Sequence, residues 1–355
     1  MKVLFTCADK PTISRNLFHR NFLKEHYDTT ECVSEAKSYA SRIPSILMCL
    51  LKKMRNADIF FVGYMGHFLV VFLRLFSKKP IIFDFYLSIY DVMCNDRKIY
   101  SPQSLAGKFT YWIEKHSLEL ADFIIVDTDK LIETLSKEYG INKEKFVRVP
   151  LTINEENVKP IDVQRYSENF SVLYVGSYIP LHGTPLIIET AKLAQDTNED
   201  IAFLMIGKGP EYEICYNLAK KYNLKNIEFK GFMPLEELNH YYNACDVNLG
   251  LFNTGERANS VILNKTNDAF RVGRPHVTLK TDAMAEVFED EKDIFFVPQN
   301  TPQALFETLK KIKNDPKLLE KVSQNALRTY DEKLSNTSAK QIVIEKIFQP
   351  LTKEQ

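Results

Sequence analysis

The segment VILNKTNDAFRVGRP, residues 261–275, carries side chains suited to holding an anion. A polar pair, Asn264 and Lys265, interrupts an apolar lead-in; Asp268 follows one turn later, and Gly273 and Pro275 close the segment. The spacing predicts a helix with Asn264 as N-cap and Gly273 as left-handed C-cap, stopped by a proline that cannot continue it. A lysine in the first turn runs against the helix dipole, which favours acids there. A phosphate bound to the free backbone N–H groups would supply the missing negative charge. The plainer alternative is a solvated lysine on an ordinary helix. Asp84 is a second polar residue out of place, inside the apolar run PIIFDFY. It binds a hydroxyl or pairs with Arg97, beside which Asp91 and Asp96 read as an ion-pair cluster.

Positioning these residues takes a scaffold, and the apolar runs provide it. KVLFTC, ADIFFVG, PIIFDFY, DFIIVDT and FVRVP read as strands separated by helical spacing, and alternation restarts with SVLYVGSY, IAFLMIG, IEFKGF, DVNLGLF, PHVTLK and DIFFVP. This predicts parallel sheets covered on both faces. Residues 151–169 are polar, broken by Pro160, and read as an interdomain linker. The expected domains are 1–160 and 161–335, with an amphipathic helix over 336–355 packing back on the first. Thr184-Pro185, Thr301-Pro302 and Asp315-Pro316 each read as an N-cap followed by an N1 proline. Two doubly wound halves leave a cleft, with ligands beyond the carboxyl ends of the strands. Glycines fall at those ends: Gly63, Gly66, Gly176, Gly207, Gly209 and Gly250. No G-x-G-x-x-G follows a strand and no P-loop motif occurs, which weighs against a nicotinamide-dependent oxidoreductase.

With 355 residues the chain is long enough for two cores, and 45% hydrophobic against 26% charged residues is ordinary for a globular protein. Residues 1–160 hold 23 basic and 19 acidic side chains and the remainder 23 and 27, too even a balance for a nucleic-acid partner. The six cysteines lack metal-ligand spacing and read as reduced, buried thiols of a cytoplasmic protein. The longest apolar run, residues 59–73, is too short to span a bilayer and contains Gly63, Gly66 and His67. Residues 42–55 and 68–79 combine aliphatics with lysine and arginine; either could rest on an anionic membrane face, or bury its aliphatics and merely solvate its cations.

Several segments in order resemble the retaining glycosyltransferases of family 4: VGSYIPLHGTPLIIETA, FLMIGKGPEYE, YYNACDVNLGLF, VILNKTNDAFRVGRPHV and TDAMAEVFEDEKDIFFVPQNTPQAL, with VGYMGH and FDFYLSIYDVMCNDR upstream. The resemblance implies an α/β fold of the GT-B type, two Rossmann-like doubly wound domains facing each other across a cleft. It implies a UDP- or GDP-sugar donor, no metal or other cofactor, and a glycan or lipid-linked glycan acceptor in bacterial surface polysaccharide assembly. Negative charge grows on the departing diphosphate, so fixed cations and N–H donors should stabilise it. Lys265, with the amides after Asn264, takes that role, and Lys208 beside Gly209 faces the nucleotide or solvent. Asp268 stands at the family's glutamate position, accepting from the ribose hydroxyls with one methylene less reach.

Two departures from the family pattern bear on catalysis. Its usual arginine and lysine in the loop after the first donor-domain strand align with Ser177 and His182, and the first acid of its paired-carboxylate motif aligns near Ser260. His182 could still contact phosphate, with backbone amides of Gly176, His182 and Gly183 as further donors. On the acceptor side the resemblance makes His67 a contact to the transferred sugar or acceptor, and Asp84 a contact to an acceptor hydroxyl. A lone histidine is otherwise as often structural. Retention here resembles a same-face substitution in which the leaving phosphate helps deprotonate the acceptor, so no protein nucleophile is nominated. The competing reading is a catalytically degenerate transferase-like subunit that holds a nucleotide or a partner.

Overall fold

The computed structural model describes residues 1–96 and 98–353; Arg97, and with it the ion pair expected there, lies outside the described residues, as does the Asp96 side chain. The chain divides into two units, Met1–Thr152 with Asn336–Gln355, and Ile153–Ser335.

In the first unit β1 (Lys2–Thr6), β2 (Asp28–Cys32), β3 (Ile59–Val62), β4 (Ile81–Asp84), β5 (Phe123–Val126) and β6 (Phe146–Arg148) form a parallel sheet in the order β2-β1-β3-β4-β5-β6. Both faces are covered, so β3 and β4 are buried at every residue and read as unbroken apolar runs. Leu4, Phe60, Val62 and Phe83 pack on one face against Leu69 and Leu73. Val3, Phe5 and Phe61 pack on the other against Phe18, Phe22 and, from the end of the chain, Val343, Ile347 and Phe348. The edge strand β2, DTTEC, exposes its polar side chains alternately and escapes detection in the sequence.

In the second unit β7 (Phe170–Val175), β8 (Ile201–Ile206), β9 (Ile227–Lys230), β10 (Val247–Leu249), β11 (His276–Leu279) and β12 (Phe295–Val297) form a parallel sheet ordered β12-β11-β10-β7-β8-β9. The chain winds from β7 outward to β9, then returns to β10 on the other side. Between β7 and β10 lies the topological switch point, where such sheets open beyond their carboxyl ends.

Three local expectations change. Residues 153–168 are no free linker: Ile153 and Val158 join the core of the second unit, and backbone N–H groups of Lys159 and Ile161 donate to Asn239 and Asn243. Thr184 is the first helical residue rather than the cap, because Gly183 (φ 63°) occupies the cap position and the Thr184 hydroxyl donates to Glu211. Thr301 and Asp315 do cap their helices, accepting from Ala304 and Leu318. Finally, Cys32 and Cys49 are joined by a disulfide, their Cα atoms 5.5 Å apart where the end of β2 meets the helix Tyr39–Lys53. Cys7, Cys94, Cys215 and Cys245 are buried free thiols.

Candidate functional site

Beyond the carboxyl end of β7 the chain turns through Gly176, Ser177 and Tyr178, makes one short turn over Pro180–His182, and enters the helix Thr184–Asp196. Three backbones meet there. A Cβ on Gly207 would stand 1.9 Å from the Gly176 carbonyl oxygen, one on Gly209 1.5 Å from that of Ser177, and one on Gly183 1.9 Å from that of Phe252. No residue but glycine fits such approaches. The glycines at these strand ends therefore bring the loops after β7, β8 and β10 together at the switch point.

His182 and Lys265 converge on Tyr174. The Tyr174 hydroxyl is 2.7 Å from His182 Nδ1, and Lys265 Nζ lies 4.2 Å from the centre of the Tyr174 ring while donating to the Gly250 carbonyl at 3.3 Å. Burial, with the Lys265 and Arg257 charges adding, pushes the His182 pKa down to about 2, so the imidazole is neutral. Burial also lowers the Lys265 ammonium to about 7. The lysine is thus desolvated, held by one carbonyl and one aromatic face, with no carboxylate paired to it among the described residues.

Lys265 lies in the first turn of the helix Asn264–Arg271. The cap position belongs to Leu263, not Asn264, because Leu263 packs with Leu181, Leu251 and Ala258; Asn264 is the first helical residue and is exposed. Among the described residues no side-chain hydrogen bond caps this helix start. Its other end is as the sequence indicates. Gly273 is left-handed (φ 69°), and the N–H groups of Gly273 and Arg274 return to Phe270 and Ala269. Asp268 is buried, accepts from the Tyr242 hydroxyl at 3.1 Å, and is raised by burial to about 7. Thr266 is 3.1 Å from Nε2 of buried His276, which burial and Lys265 hold down at about 3. Ser177, Lys208 and Gly209 are exposed.

The structure therefore brings Gly176, His182 and Lys265 against Tyr174, with Gly183 and Gly209 in the crowded loops of the same unit and Asn264 and Asp268 on the helix that carries the lysine. Tyr174, Tyr242 and His276 escaped the sequence, since each reads as an ordinary core residue of its strand or helix. Nothing but the fold signals them.

In the first unit Asp84 ends β4 fully buried, and its partner is Arg15: Nε donates to both carboxylate oxygens at 2.9 and 2.8 Å, and Nη2 to Oδ1 at 2.6 Å. His19 Nε2 is 3.2 Å from Oδ2. Burial would raise this carboxyl, but Arg15 and His19 together hold it well below the usual range. His67 opens the helix His67–Phe76, buried between Phe83 and Phe85 with ring centres 5.0 and 5.4 Å away, and burial lowers it to about 3. Its Nε2 is 4.0 Å from the carboxyl of Glu114. Among the described residues no group of three or more His, Cys, Asp or Glu is placed to hold a metal ion.

Residues 156–329 match the family of glycosyl transferases group 1. That stretch holds β7–β12 and every residue gathered around Tyr174. The chain is 23% identical over 230 residues to alpha-D-kanosaminyltransferase of Streptomyces kanamyceticus, covering 61% of this chain and 57% of that protein. Among solved structures, sucrose-phosphate synthase from Thermosynechococcus elongatus superposes with a TM-score of 0.78 at 14% identity over all of both chains. The Anabaena protein HepE, solved with UDP, gives 0.72 at 14% identity over 99% of this chain and 100% of its own. The complex of HepE with UDP-glucose gives 0.71 at 13% identity over 98% and 100%. The fold, two parallel six-stranded α/β sheets of the GT-B type, is that of these solved structures.

Proposed function

We propose that the chain is a GT-B glycosyltransferase that moves a sugar from a UDP- or GDP-sugar to a hydroxyl of a glycan or lipid-linked glycan, with retention and without a metal. One observation carries the reading: an uncapped helix start bearing a desolvated lysine stands beside three glycine-crowded loops at a switch point. In this reading the diphosphate lies against the first-turn amides of the helix and restores full charge to Lys265, because an anion beside a buried amine raises its pKa. His182 contributes a neutral N–H, and a carboxyl oxygen of Asp268 accepts from the ribose. Charge that develops on the leaving group is met by dipoles and an amine already in place.

The acceptor side of the proposal keeps His67 and Asp84 as residues of the first unit; an H67A enzyme with unchanged acceptor KM and kcat would remove His67 from it. Bacterial surface polysaccharide assembly on the cytoplasmic face of a membrane is the setting proposed. No described helix is long and apolar enough to cross a bilayer. Met48, Leu51, Leu75 and Phe76 are exposed on the helices Tyr39–Lys53 and His67–Phe76, beside exposed Lys52, Lys53, Arg55 and Lys78. Co-sedimentation with anionic vesicles at low salt tests peripheral contact; protein left in the supernatant ends that part.

The decisive experiment follows nucleotide release from UDP- and GDP-sugars. A transferase releases nucleotide slowly without acceptor and quickly with it, undiminished by EDTA, and the product anomer, read by NMR, keeps the donor's configuration. A nucleotide-binding subunit without activity is the second reading, favoured by the exposed hydroxyl of Ser177 and the neutral imidazole of His182 where the family places cations. It predicts tight nucleotide binding with no acceptor-stimulated release.

A further inference from the structure

His182 offers two ring nitrogens, and the one that carries the proton decides what the other can do. Nδ1 is 2.7 Å from the Tyr174 hydroxyl, which is fully buried. Among the described residues His182 Nδ1 is the hydrogen-bond partner of that hydroxyl. Were Nδ1 protonated, it would donate to the Tyr174 oxygen while the hydroxyl's own hydrogen pointed at no acceptor, in a place without solvent. Burying an unmatched hydroxyl hydrogen is costly, so the hydroxyl donates and Nδ1 accepts. The neutral ring then bears its hydrogen on Nε2, to which no hydrogen bond is made among the described residues. Among the described residues, the charged groups that act on this ring are Lys265 and Arg257, both basic. A hydrogen on Nε2 among cations points to an anion as the missing partner. The Tyr174 ring meanwhile lies under Lys265 Nζ, so one side chain braces both groups.

Resting on the glycosyltransferase reading above, we propose that Tyr174 is a positioning residue: it locks His182 in the Nε2–H form, making it a neutral hydrogen-bond donor to a diphosphate oxygen. The sequence departs from a fixed cation at this position, and the lock is what makes a neutral side chain serve there.

Two measurements test this. Long-range 15N–1H correlation on the full chain labelled in histidine reads the tautomer of His182, assigned by its loss in H182A. The proposal expects an unprotonated Nδ1 and a protonated Nε2; the reverse pattern overturns it, whatever the protein binds. UDP and GDP titrations then compare wild type, Y174F, H182A and Y174F/H182A. Y174F keeps the ring beneath Lys265 and removes only the hydroxyl. Y174F and H182A should each weaken the diphosphate by about tenfold, and the double variant no further than H182A alone. Additive losses, or full affinity in Y174F, would show that Tyr174 does not act through His182. Failure of the wild type to bind either nucleotide would instead sink the glycosyltransferase reading and the diphosphate half of this proposal, while the tautomer would still stand or fall by its own spectrum.

Discussion

Lys265 illustrates how a single side chain can be legible in type and hidden in state. Its amine is buried with one carbonyl and one aromatic face, which lowers its pKa to about 7, below the ordinary 10.5. At pH 8 most molecules therefore hold it neutral, and a bound diphosphate should reprotonate it. Calorimetric titration with UDP in buffers of different ionisation heat is expected to show uptake of up to one proton per site at pH 8. K265M should abolish that uptake and cost tenfold or more in affinity, by loss of a hydrogen bond to a charged group, worth roughly 1.5–3 kcal/mol. UDP binding to the wild type without proton exchange would rule out Lys265 as the phosphate partner.

Glycines at the element ends divide into two kinds, and the difference can be measured. Gly209 is pressed on the Ser177 carbonyl, so the G209A methyl must push the loops after β7 and β8 apart. Gly140, the left-handed C-cap of the helix Asp129–Tyr139, has φ 72° and nothing within 4 Å of an added Cβ. G140A should lower stability by about 1 kcal/mol through backbone conformation alone and leave nucleotide affinity intact. G209A should lose nucleotide affinity; equal affinities in a titration of both would contradict the crowded-loop description. Helix caps separate in the same manner. T301A removes a hydroxyl that accepts from Ala304 N–H and should cost about 1 kcal/mol in denaturant unfolding. T184A removes no cap; it removes the bond to Glu211.

Stability of the whole chain should also follow a group that the proposed chemistry does not use. Glu114 is buried completely in the first unit, accepting from the Ser88 hydroxyl, the Tyr90 N–H and the Tyr139 hydroxyl at 2.6, 3.0 and 2.9 Å. Burial outweighs those donors and raises its pKa from 4.5 to about 7. The folded state therefore holds a proton that the unfolded chain releases. The stabilisation is complete below pH 4.5 and is lost as pH climbs through 7, a change of up to about 3 kcal/mol. E114Q mimics the neutral form, so the stability of E114Q relative to wild type should rise by that order between pH 5 and pH 8. A difference that stays flat across the range would place the Glu114 pKa near its ordinary value.

Apolar runs determined most of the fold on their own, because parallel strands covered on both faces leave little choice but unbroken aliphatic and aromatic residues; β2, half exposed at an edge, is the strand that pattern missed. Residue types likewise determined that 261–275 is a lysine-bearing helix with a glycine stop. Only tertiary structure decided that Leu263 rather than Asn264 stands at its cap, that Cys32 meets Cys49, and that Arg15 is the partner of Asp84. The physical reason is common to all three. Desolvation and hydrogen-bond pairing depend on which distant segments share a space, and β7, the loop after it, the end of β10 and the helix Asn264–Arg271 come together around Tyr174 only when the second sheet is complete.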